Sequence, residues 1–170
     1  MFYLTERLLL RPAWPEDWRA VLHAVGHRHI IRNLARAPWP YGEAEAKAWL
    51  SQQPHRHIPR FLLVERREGD GTLIGSAGFA EVEEGTEIGY WIAEPYWNRG
   101  YATEAARALV DIARLIGHRM LVSGHFVDNP ASGSVLRKAG FEPTGQTRRR
   151  FSAGRGETAP CMMYACALAE

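Results

Sequence analysis

Hydrophobic and polar positions follow two different periods along this chain. Between Thr103 and His118 the apolar residues recur at helical spacing, with Ala105, Leu109 and Ile112 on one stripe. Elsewhere, short apolar runs such as RFLLVERR and GTLIGSAGFAEV are bounded by turn-forming residues. The first period predicts an amphipathic helix, and the second predicts partly buried strands.

The remaining segments complete the order of predicted elements, and most are bounded by residues that stop helices or strands. They are a first strand LTERLLLRP ended by Pro12, a helix WPEDWRAVLHAVG with Pro15 near its start and Gly26 after its end, a second helix EAEAKAWLSQQ stopped by Pro54, a hairpin turn EGDG, a strand TEIGYWIA, a strand RMLVSGHFV, a short helix GSVLRKAG after the turn DNPAS, and two final strands, TGQTRRRF and TAPCMMYACAL. This order predicts one α/β (mixed α+β) domain over residues 1–170, built on a mixed sheet.

The composition is that of a globular protein. The chain has 170 residues, of which 46% are hydrophobic and 24% are charged, close to the average for soluble domains. A net charge of +2 gives no case for specific nucleic-acid binding, which usually needs a concentrated basic face. The opening MFYLTERLLL is interrupted by Glu6 and Arg7, which predicts neither an export signal nor a membrane span. We therefore expect a cytoplasmic protein that does not associate with membranes.

The two cysteines are expected to remain free thiols. Cys161 and Cys166 lie five residues apart in a predicted strand, so their side chains point to opposite faces and cannot bridge each other. Free thiols are typical of a reducing compartment, and an intermolecular bridge is the alternative.

The stretch YWNRGYATEA joins a predicted strand to the main helix through a short turn with one glycine. A helix start presents unpaired N–H groups and the positive end of the helix dipole, which together attract anions. Gly100 lets a ligand approach and Arg99 adds a cation, although such a turn is also typical of a simple connector. The next strand is followed by DNPAS, which brings Asn129 and Ser132. Because ligands of open α/β sheets bind where neighbouring strands part, this second polar segment favours a binding site.

Three segments, GYWIAEPYWNRGYATEA, DNPASGSVLRKAGF and LTERLLLRP, together resemble the GCN5-related N-acetyltransferases (GNAT). The resemblance is to the RimJ/RimL-type branch, which acetylates ribosomal-protein N termini, and it covers nearly the whole chain. Gly100 and Ala102 match the family signature Gln/Arg-x-x-Gly-x-Gly/Ala; Trp97 stands at its first position, as is usual in this branch, and Asn98 replaces a frequent glycine. The resemblance implies a GNAT fold: a central, mostly antiparallel mixed sheet, splayed between two neighbouring strands and flanked by helices.

The resemblance also implies acetyl-coenzyme A as co-substrate and no metal. Backbone N–H groups of the turn would bind the pyrophosphate, and they belong to Asn98, Arg99, Gly100, Tyr101, Ala102 and Thr103. The pantetheine arm would pair with the strand at Ile92 and Ala93, and Asn129 would hydrogen-bond it. Lys138 would approach the adenosine phosphate, although a solvated helix face also explains a lysine there.

Acetyl transfer to an amine requires a neutral nucleophile, a stabilised oxyanion and a proton for the leaving thiolate. Glu87, in a strand expected to face the cofactor, is the candidate general base, and an exposed glutamate at a strand start is the alternative. His125 in the adjacent strand is the second candidate, set against a packing role. Ser132 resembles the hydroxyl placed near the coenzyme sulfur and is the candidate general acid, or else a helix cap. A backbone N–H near Ile92 or Ala93 would polarise the carbonyl, as the family suggests.

The first half of the chain is expected to supply the acceptor site. Trp39 and Tyr41 flank Pro40 before the second helix, where related enzymes close over the acceptor, and packing explains this turn equally well. Tyr90 is a further candidate for the cleft. The expected acceptor is a primary amine, either a protein N-terminus or a small molecule. The alternatives are an inactive coenzyme A-binding or sensing module and a protein that binds NAD or ATP. A monomer or a homodimer is expected.

Two further patterns do not support a function of their own. His23, His27 and His29 include an i, i+4 pair, but nothing nearby completes a metal site, which favours a surface helix. The run Arg148, Arg149 and Arg150 with Arg155 indicates a solvated rim, because consecutive strand residues point to alternate faces.

Overall fold

The computed structural model describes residues 1–52, 55–66 and 71–168. The strands within them are β1 (Tyr3–Leu4), β2 (Leu8–Arg11), β3 (Arg60–Glu65), β4 (Thr72–Val82), β5 (Gly85–Ile92), β6 (Met120–Phe126), β7 (Glu142–Ser152) and β8 (Glu157–Ala167). The helices are α1 (Trp18–Val25), α2 (Arg28–Ile31), α3 (Glu43–Ser51), α4 (Tyr101–Leu115) and α5 (Pro130–Lys138). The strands form one sheet in the order β1-β2-β3-β4-β5-β6-β8-β7. The predicted fold class, a mixed sheet flanked by helices, is confirmed.

The sheet parts at its centre. Neighbouring strands pair antiparallel except β5 and β6, which are parallel and are in register only at Thr86 with Leu121 and at Glu87 with Val122. Beyond these pairs the two strands diverge towards Ile92 and Phe126. The parallel arrangement follows from the long connection through α4, since parallel neighbours need a crossover. The predicted splayed sheet is therefore present, with its gap between β5 and β6.

Two hydrophobic clusters lie on opposite faces of the sheet. On one face α4 buries its apolar stripe, including Leu109 and Ile112, against Ile88 and neighbouring strand residues. On the other face α1, α2 and α3 pack against Leu62. The neighbouring Leu63 belongs to the first cluster, as the two-residue period of a strand requires. Each fully buried leucine or isoleucine contributes about 1.5–3 kcal/mol to stability.

The predicted first strand is wrong as a single element. Tyr3–Leu4 and Leu8–Arg11 instead pair antiparallel with each other. The chain reverses at Thr5, whose hydroxyl accepts a hydrogen bond from the Leu8 N–H at 2.9 Å. A threonine side chain here replaces the glycine or proline that usually marks such a turn.

The helices begin and end close to their predicted bounds, with three differences. The main helix starts at Tyr101 and ends at Leu115, and Gly117 follows it with φ 89°. The short helix α5 starts at Pro130, inside the segment predicted as a turn. The four-residue α2 is too short to give a period and was not predicted. Pro54 and most of the EGDG turn lie outside the described residues.

The cysteines lie on opposite faces of β8, as predicted. Cys161 packs with Phe126, Ala159 and Met163, whereas Cys166 belongs to the α4 cluster. Both are buried free thiols. Over the ranges that the structure covers, no helix is long and apolar enough to cross a membrane.

Candidate functional site

A cavity of about 620 Å³ fills the gap between β5 and β6. Most of the predicted site residues line it: Glu87, Tyr90, Ile92, Asn98, Gly100, Tyr101, Ala102, Thr103, Asn129, Ser132 and Lys138. Of the other predicted site residues, all of which the structure describes, Trp39, Tyr41, Ala93 and Arg99 are not part of its lining. The gap thus collects residues from both polar segments and from the strand between them.

The turn before α4 has the backbone conformation of an anion-binding loop. Asn98 and Gly100 are in the left-handed region, with φ of 58° and 83°. Asparagine tolerates this region better than most residues, so Asn98 fits the turn without a glycine. The i to i−4 hydrogen bonds of α4 begin at Glu104, whose N–H donates to the Gly100 carbonyl at 3.0 Å. The N–H groups before it are those that a helix start offers to an anion.

Arg7 braces this turn from behind and was not predicted from the sequence. Its Nη1 donates to the Arg99 carbonyl at 2.9 Å, and its Nε donates to Glu104 Oε2 at 2.7 Å. The guanidinium also lies 4.3 Å from the centre of the Tyr101 ring. Burial raises the pKa of Glu104, but hydrogen bonds from Thr5 and Arg7 outweigh it and hold the pKa below its ordinary value. The β1–β2 turn therefore fixes the start of α4.

Alternation along β5 separates two kinds of side chain. Ile88, Tyr90 and Ile92 belong to the face covered by α4 and α5, whereas Glu87 and Trp91 lie on the opposite face, where Trp91 packs with the α1–α3 cluster. Both groups also line the cavity. The cavity is therefore reached from both faces of the sheet.

Glu87 forms a two-point ion pair with Arg150 of β7. Arg150 Nη1 donates to Oε1 at 2.5 Å and Nη2 donates to Oε2 at 3.1 Å. The Glu87 side chain is 13% exposed and the Arg150 side chain is 25% exposed. Glu87 is therefore not an exposed glutamate at a strand start, and Arg150 is not part of a solvated rim. The predicted solvated rim is thus wrong for Arg150, which lines the cavity, while Arg148 pairs with Glu84. Hydrogen bonding to Glu87 raises the pKa of Arg150.

On the other face, Tyr90 holds Ser132. The Tyr90 hydroxyl lies 2.9 Å from Ser132 Oγ, where either oxygen can donate, and 3.2 Å from the Ser132 carbonyl, which can only accept; the single Tyr90 proton serves one of these two contacts. Burial raises the pKa of Tyr90 to about 12. Ser132 is not a helix cap, because Asn129 occupies the N-cap position of α5. The Ser132 hydroxyl is therefore directed into the cavity by Tyr90 rather than used by its own helix.

The backbone at the end of β5 is only partly available to a ligand. The Ala93 N–H donates to the Ile74 carbonyl at 2.8 Å, and the Ala93 carbonyl accepts from the Tyr96 N–H at 3.0 Å. The Ile92 carbonyl accepts from the Trp97 indole at 2.6 Å. The Ala93 N–H is therefore used within the sheet, and pairing of a ligand along Ile92 and Ala93 stays a prediction.

His125 lines the cavity, and both of its ring nitrogens have partners within the protein. Its Nδ1 lies 2.8 Å from the Phe126 carbonyl, which can only accept, so we assign the ring proton to Nδ1. Nε2 then accepts from the Tyr164 hydroxyl at 3.3 Å, and that hydroxyl accepts from Arg137 Nη1 at 3.1 Å. The side chain lies on the α5 face, away from Glu87. These contacts favour the packing interpretation over a role as base.

Trp39 and Tyr41 lie apart from the cavity. Tyr41 packs with the α1–α3 cluster, and burial, with a smaller contribution from Glu45, raises its pKa to about 12. Trp39 is exposed. Residues 33–35 of the same connection line the cavity instead.

The histidines of the α1–α2 region form no metal site. His27 Nε2 lies 3.0 Å from the His23 carbonyl, and His29 Nε2 lies 3.0 Å from Glu94 Oε2. Among the described residues, no group of three or more His, Cys, Asp or Glu side chains is placed to hold a metal.

A cavity between two diverging strands, with a helix-start turn at its mouth, agrees with the family resemblance. Residues 7–142 match the family model described as Acetyltransferase (GNAT) domain. The chain belongs to the GNAT acetyltransferase family. The uncharacterised N-acetyltransferase YoaA of Bacillus subtilis (strain 168) is 34% identical over 154 residues, with 85% of each chain covered.

Solved GNAT structures show the same fold. A GNAT-family acetyltransferase from Bacillus anthracis superposes with a TM-score of 0.84 at 24% identity, with both chains fully covered. RimL, a ribosomal L7/L12 alpha-N-protein acetyltransferase solved with coenzyme A, gives 0.81 at 21% identity, with 99% of this chain and 98% of RimL covered. The chain is therefore a GNAT N-acetyltransferase, and the predicted enzyme class is confirmed.

Proposed function

We propose that this GNAT enzyme transfers an acetyl group from acetyl-coenzyme A directly to a primary amine. One observation carries the proposal: a single cavity runs from the α4 turn to Glu87 and is open to both faces of the sheet. A cofactor on the α4–α5 face and an amine on the Glu87 face would meet there. No covalent enzyme intermediate is needed.

The residues on the α4–α5 face fit coenzyme A. The N–H groups of the turn from Asn98 to Thr103 would bind its pyrophosphate, and Asn129 would hydrogen-bond its pantetheine arm. Along β5 the N–H of Ile92 remains a candidate partner for that arm, whereas the N–H of Ala93 does not, because it bonds Ile74. Lys138 would approach the adenosine phosphate. When bound, the cofactor supplies an activated acetyl thioester.

Glu87 would accept the proton of the amine, directly or through a water. Its two bonds to Arg150 fix the plane of the carboxylate and leave the remaining lone pairs of its oxygens directed to other partners. With Tyr90 donating its proton to Ser132 Oγ, the Ser132 hydroxyl proton would be available to the departing sulfur. The two proton transfers would then take place on opposite faces of β5.

The acceptor is a protein N-terminus or a small-molecule amine. RimL, which shares the fold, acts on a protein terminus, but a fold hosts many acceptors and does not select one. We test the function with a panel of N-terminal peptides and small amines, measuring thiol release from acetyl-coenzyme A. Release with at least one amine supports the proposal. No release with any amine, together with thermal stabilisation by coenzyme A, would favour the inactive binding module. Stabilisation by NAD or ATP instead would favour a nucleotide-binding protein.

Glu87→Gln tests the base. We expect kcat/KM for the amine to fall by about 10²–10⁴, while the affinity for coenzyme A, measured calorimetrically, stays within about twofold because Glu87 lies on the other face. Glu84→Gln is the matched control. Glu84 pairs with Arg148, which lies on β7 as Arg150 does, and Glu84 is not among the residues lining the cavity. Full turnover by Glu87→Gln would reject the assignment.

A further inference from the structure

One side of the cavity is formed by the connection after α2, and the turn between β7 and β8 contacts this connection. Asn33, Leu34 and Ala35 line the cavity together with Glu87 and Arg150, and we call these three residues the acceptor wall. They follow α2 in an irregular connection. A segment of this kind needs outside contacts to keep one position, because it has no internal backbone ladder.

The turn between β7 and β8, residues 152–156, supplies these contacts, and we call it the hairpin tip. The Ser152 hydroxyl donates to the Leu34 carbonyl at 2.8 Å. The Ala153 N–H donates to the Ala35 carbonyl at 2.9 Å. At Gly154 a Cβ would lie 2.5 Å from the Ile31 carbonyl oxygen. The two segments are therefore in direct contact, and no side chain fits between them at Gly154.

Arg155 adds an ionic clamp to the same junction. Its Nε donates to the Arg32 carbonyl at 2.7 Å, and its Nη1 and Nη2 donate to the two Asp128 carboxylate oxygens at 2.9 and 2.7 Å. Arg32 Nη2 also donates to Asp128 at 2.7 Å. Only 9% of the Arg155 side chain is exposed, and its guanidinium lies 4.4 Å from the centre of the Phe126 ring. Asp128 is 45% exposed, so the pair fixes the Arg155 guanidinium mainly through its bidentate geometry rather than through burial of the carboxylate.

We infer that Arg155, acting through the hairpin tip, fixes the acceptor wall and so limits the acceptor to short primary amines. The inference rests on the proposed acetyl transfer and deepens it by naming the acceptor class. Arg150 reaches Glu87 from β7, and the end of that strand carries the hairpin tip bonded to the wall. The hydrogen bonds between the hairpin tip and the acceptor wall leave no passage between these two segments. A chain that continues beyond a short amine has no passage on that side.

Arg155 is a positioning residue in this scheme, so its test needs a measurement that loss of stability alone does not change. We measure kcat/KM for amides of one, two, four and six residues that share the best accepted first residue. For the wild type we expect a fall of at least tenfold between one residue and four. For Arg155→Met, which keeps the length of the side chain but loses its donors, we expect that fall to shrink to threefold or less. The KM for acetyl-coenzyme A should change by less than twofold.

Arg148→Met is the matched control, because Arg148 lies on the same hairpin but pairs with Glu84. It should keep the wild-type length profile. A second measurement does not depend on activity: trypsin cleavage after Arg32 and Arg36 should be at least tenfold faster in Arg155→Met than in the wild type or Arg148→Met. If Arg155→Met does not fold, Asp128→Asn takes its place and should change both measurements in the same direction by a smaller factor.

A wild-type kcat/KM that is flat or rises with peptide length would overturn the inference. So would an unchanged length profile in folded Arg155→Met. Both outcomes require turnover and therefore leave the proposed function intact. An enzyme that acetylates no amine of any length refutes the proposed function, and the inference falls with it.

Discussion

Replacing Gly133 by alanine tests how closely α5 is packed on the sheet. An added Cβ would lie 2.5 Å from His125 Nε2 and 2.9 Å from the Tyr164 hydroxyl, whereas ordinary contact begins at 3.4 Å. His125 cannot move aside without breaking its bond to the Phe126 carbonyl. The helix must therefore shift, and it carries Ser132 with it.

Two opposing effects decide the sign of the change. Alanine is favoured over glycine inside a helix by roughly 1 kcal/mol. Overpacking of a closed core typically costs about 1–3 kcal/mol, and stretching the bond between Ser132 and Tyr90 costs about 0.5–1.5 kcal/mol more. We therefore expect Gly133→Ala to lower the free energy of unfolding by about 0.5–3.5 kcal/mol. For a chain of this size, each kcal/mol lowers Tm by roughly 2–4 °C.

Urea unfolding and calorimetric titration with coenzyme A measure the two consequences. Because Asn129 and Ser132 lie on the displaced helix, we expect the affinity for coenzyme A to fall along with stability. Ala131→Gly is the control: Ala131 is exposed in the same helix, so this change reports the alanine–glycine preference of α5 without the clash. A Gly133→Ala protein that is as stable as the wild type and binds coenzyme A equally well would refute the reasoning.

Two further predictions concern charges beside the α4 turn. The pKa of Glu104 lies below its usual 4.5 in the folded state, because hydrogen bonds from Thr5 and Arg7 outweigh the effect of burial. Its stabilisation is therefore fully present above the unfolded pKa and is lost as pH falls through the folded pKa. Glu104→Gln should lower the free energy of unfolding by about 1.5–3 kcal/mol at pH 7. Measured by urea unfolding, this difference from the wild type should shrink below about pH 4.5. An equal difference at pH 7 and at the lower pH would exclude the charge as the cause. Lys138→Met should raise the KM for acetyl-coenzyme A about two- to fivefold at low salt and have little effect at 0.5 M salt. An effect that persists at high salt would show that Lys138 acts through packing instead.

The sequence predicted those parts of the fold that rest on local patterns. The α4 stripe of Ala105, Leu109 and Ile112 repeats over about two turns, and its burial confirms the period. The β1–β2 turn was missed because Thr5 replaces the usual turn residues with a side-chain hydrogen bond. The helix α2 was missed because four residues are too few to display a helical period.

The cavity contacts that were missed depend on strand order. Arg150 and Glu87 are 63 residues apart in sequence and lie on β7 and β5, which β6 and β8 separate in the sheet, so no local pattern reveals their contact. The two-residue period of β7 did predict that the consecutive arginines 148–150 do not all lie on one face of the sheet. It could not indicate that Arg150 faces the cavity while Arg148 pairs with Glu84 at the edge. The Arg155 clamp was missed for the same reason.

The open edge of β5 explains which backbone groups a ligand would meet. In an antiparallel pair, successive residues turn their N–H and C=O groups alternately towards and away from the partner strand. The Ala93 N–H points towards β4, where it bonds Ile74, so the backbone groups of Ile92, Tyr90 and Ile88 point towards the gap. The Ser123 hydroxyl occupies the Ile88 carbonyl and the Trp97 indole occupies the Ile92 carbonyl. Side chains of this chain therefore occupy two carbonyls of the open edge, whereas the N–H groups of Ile92 and Tyr90 face the gap.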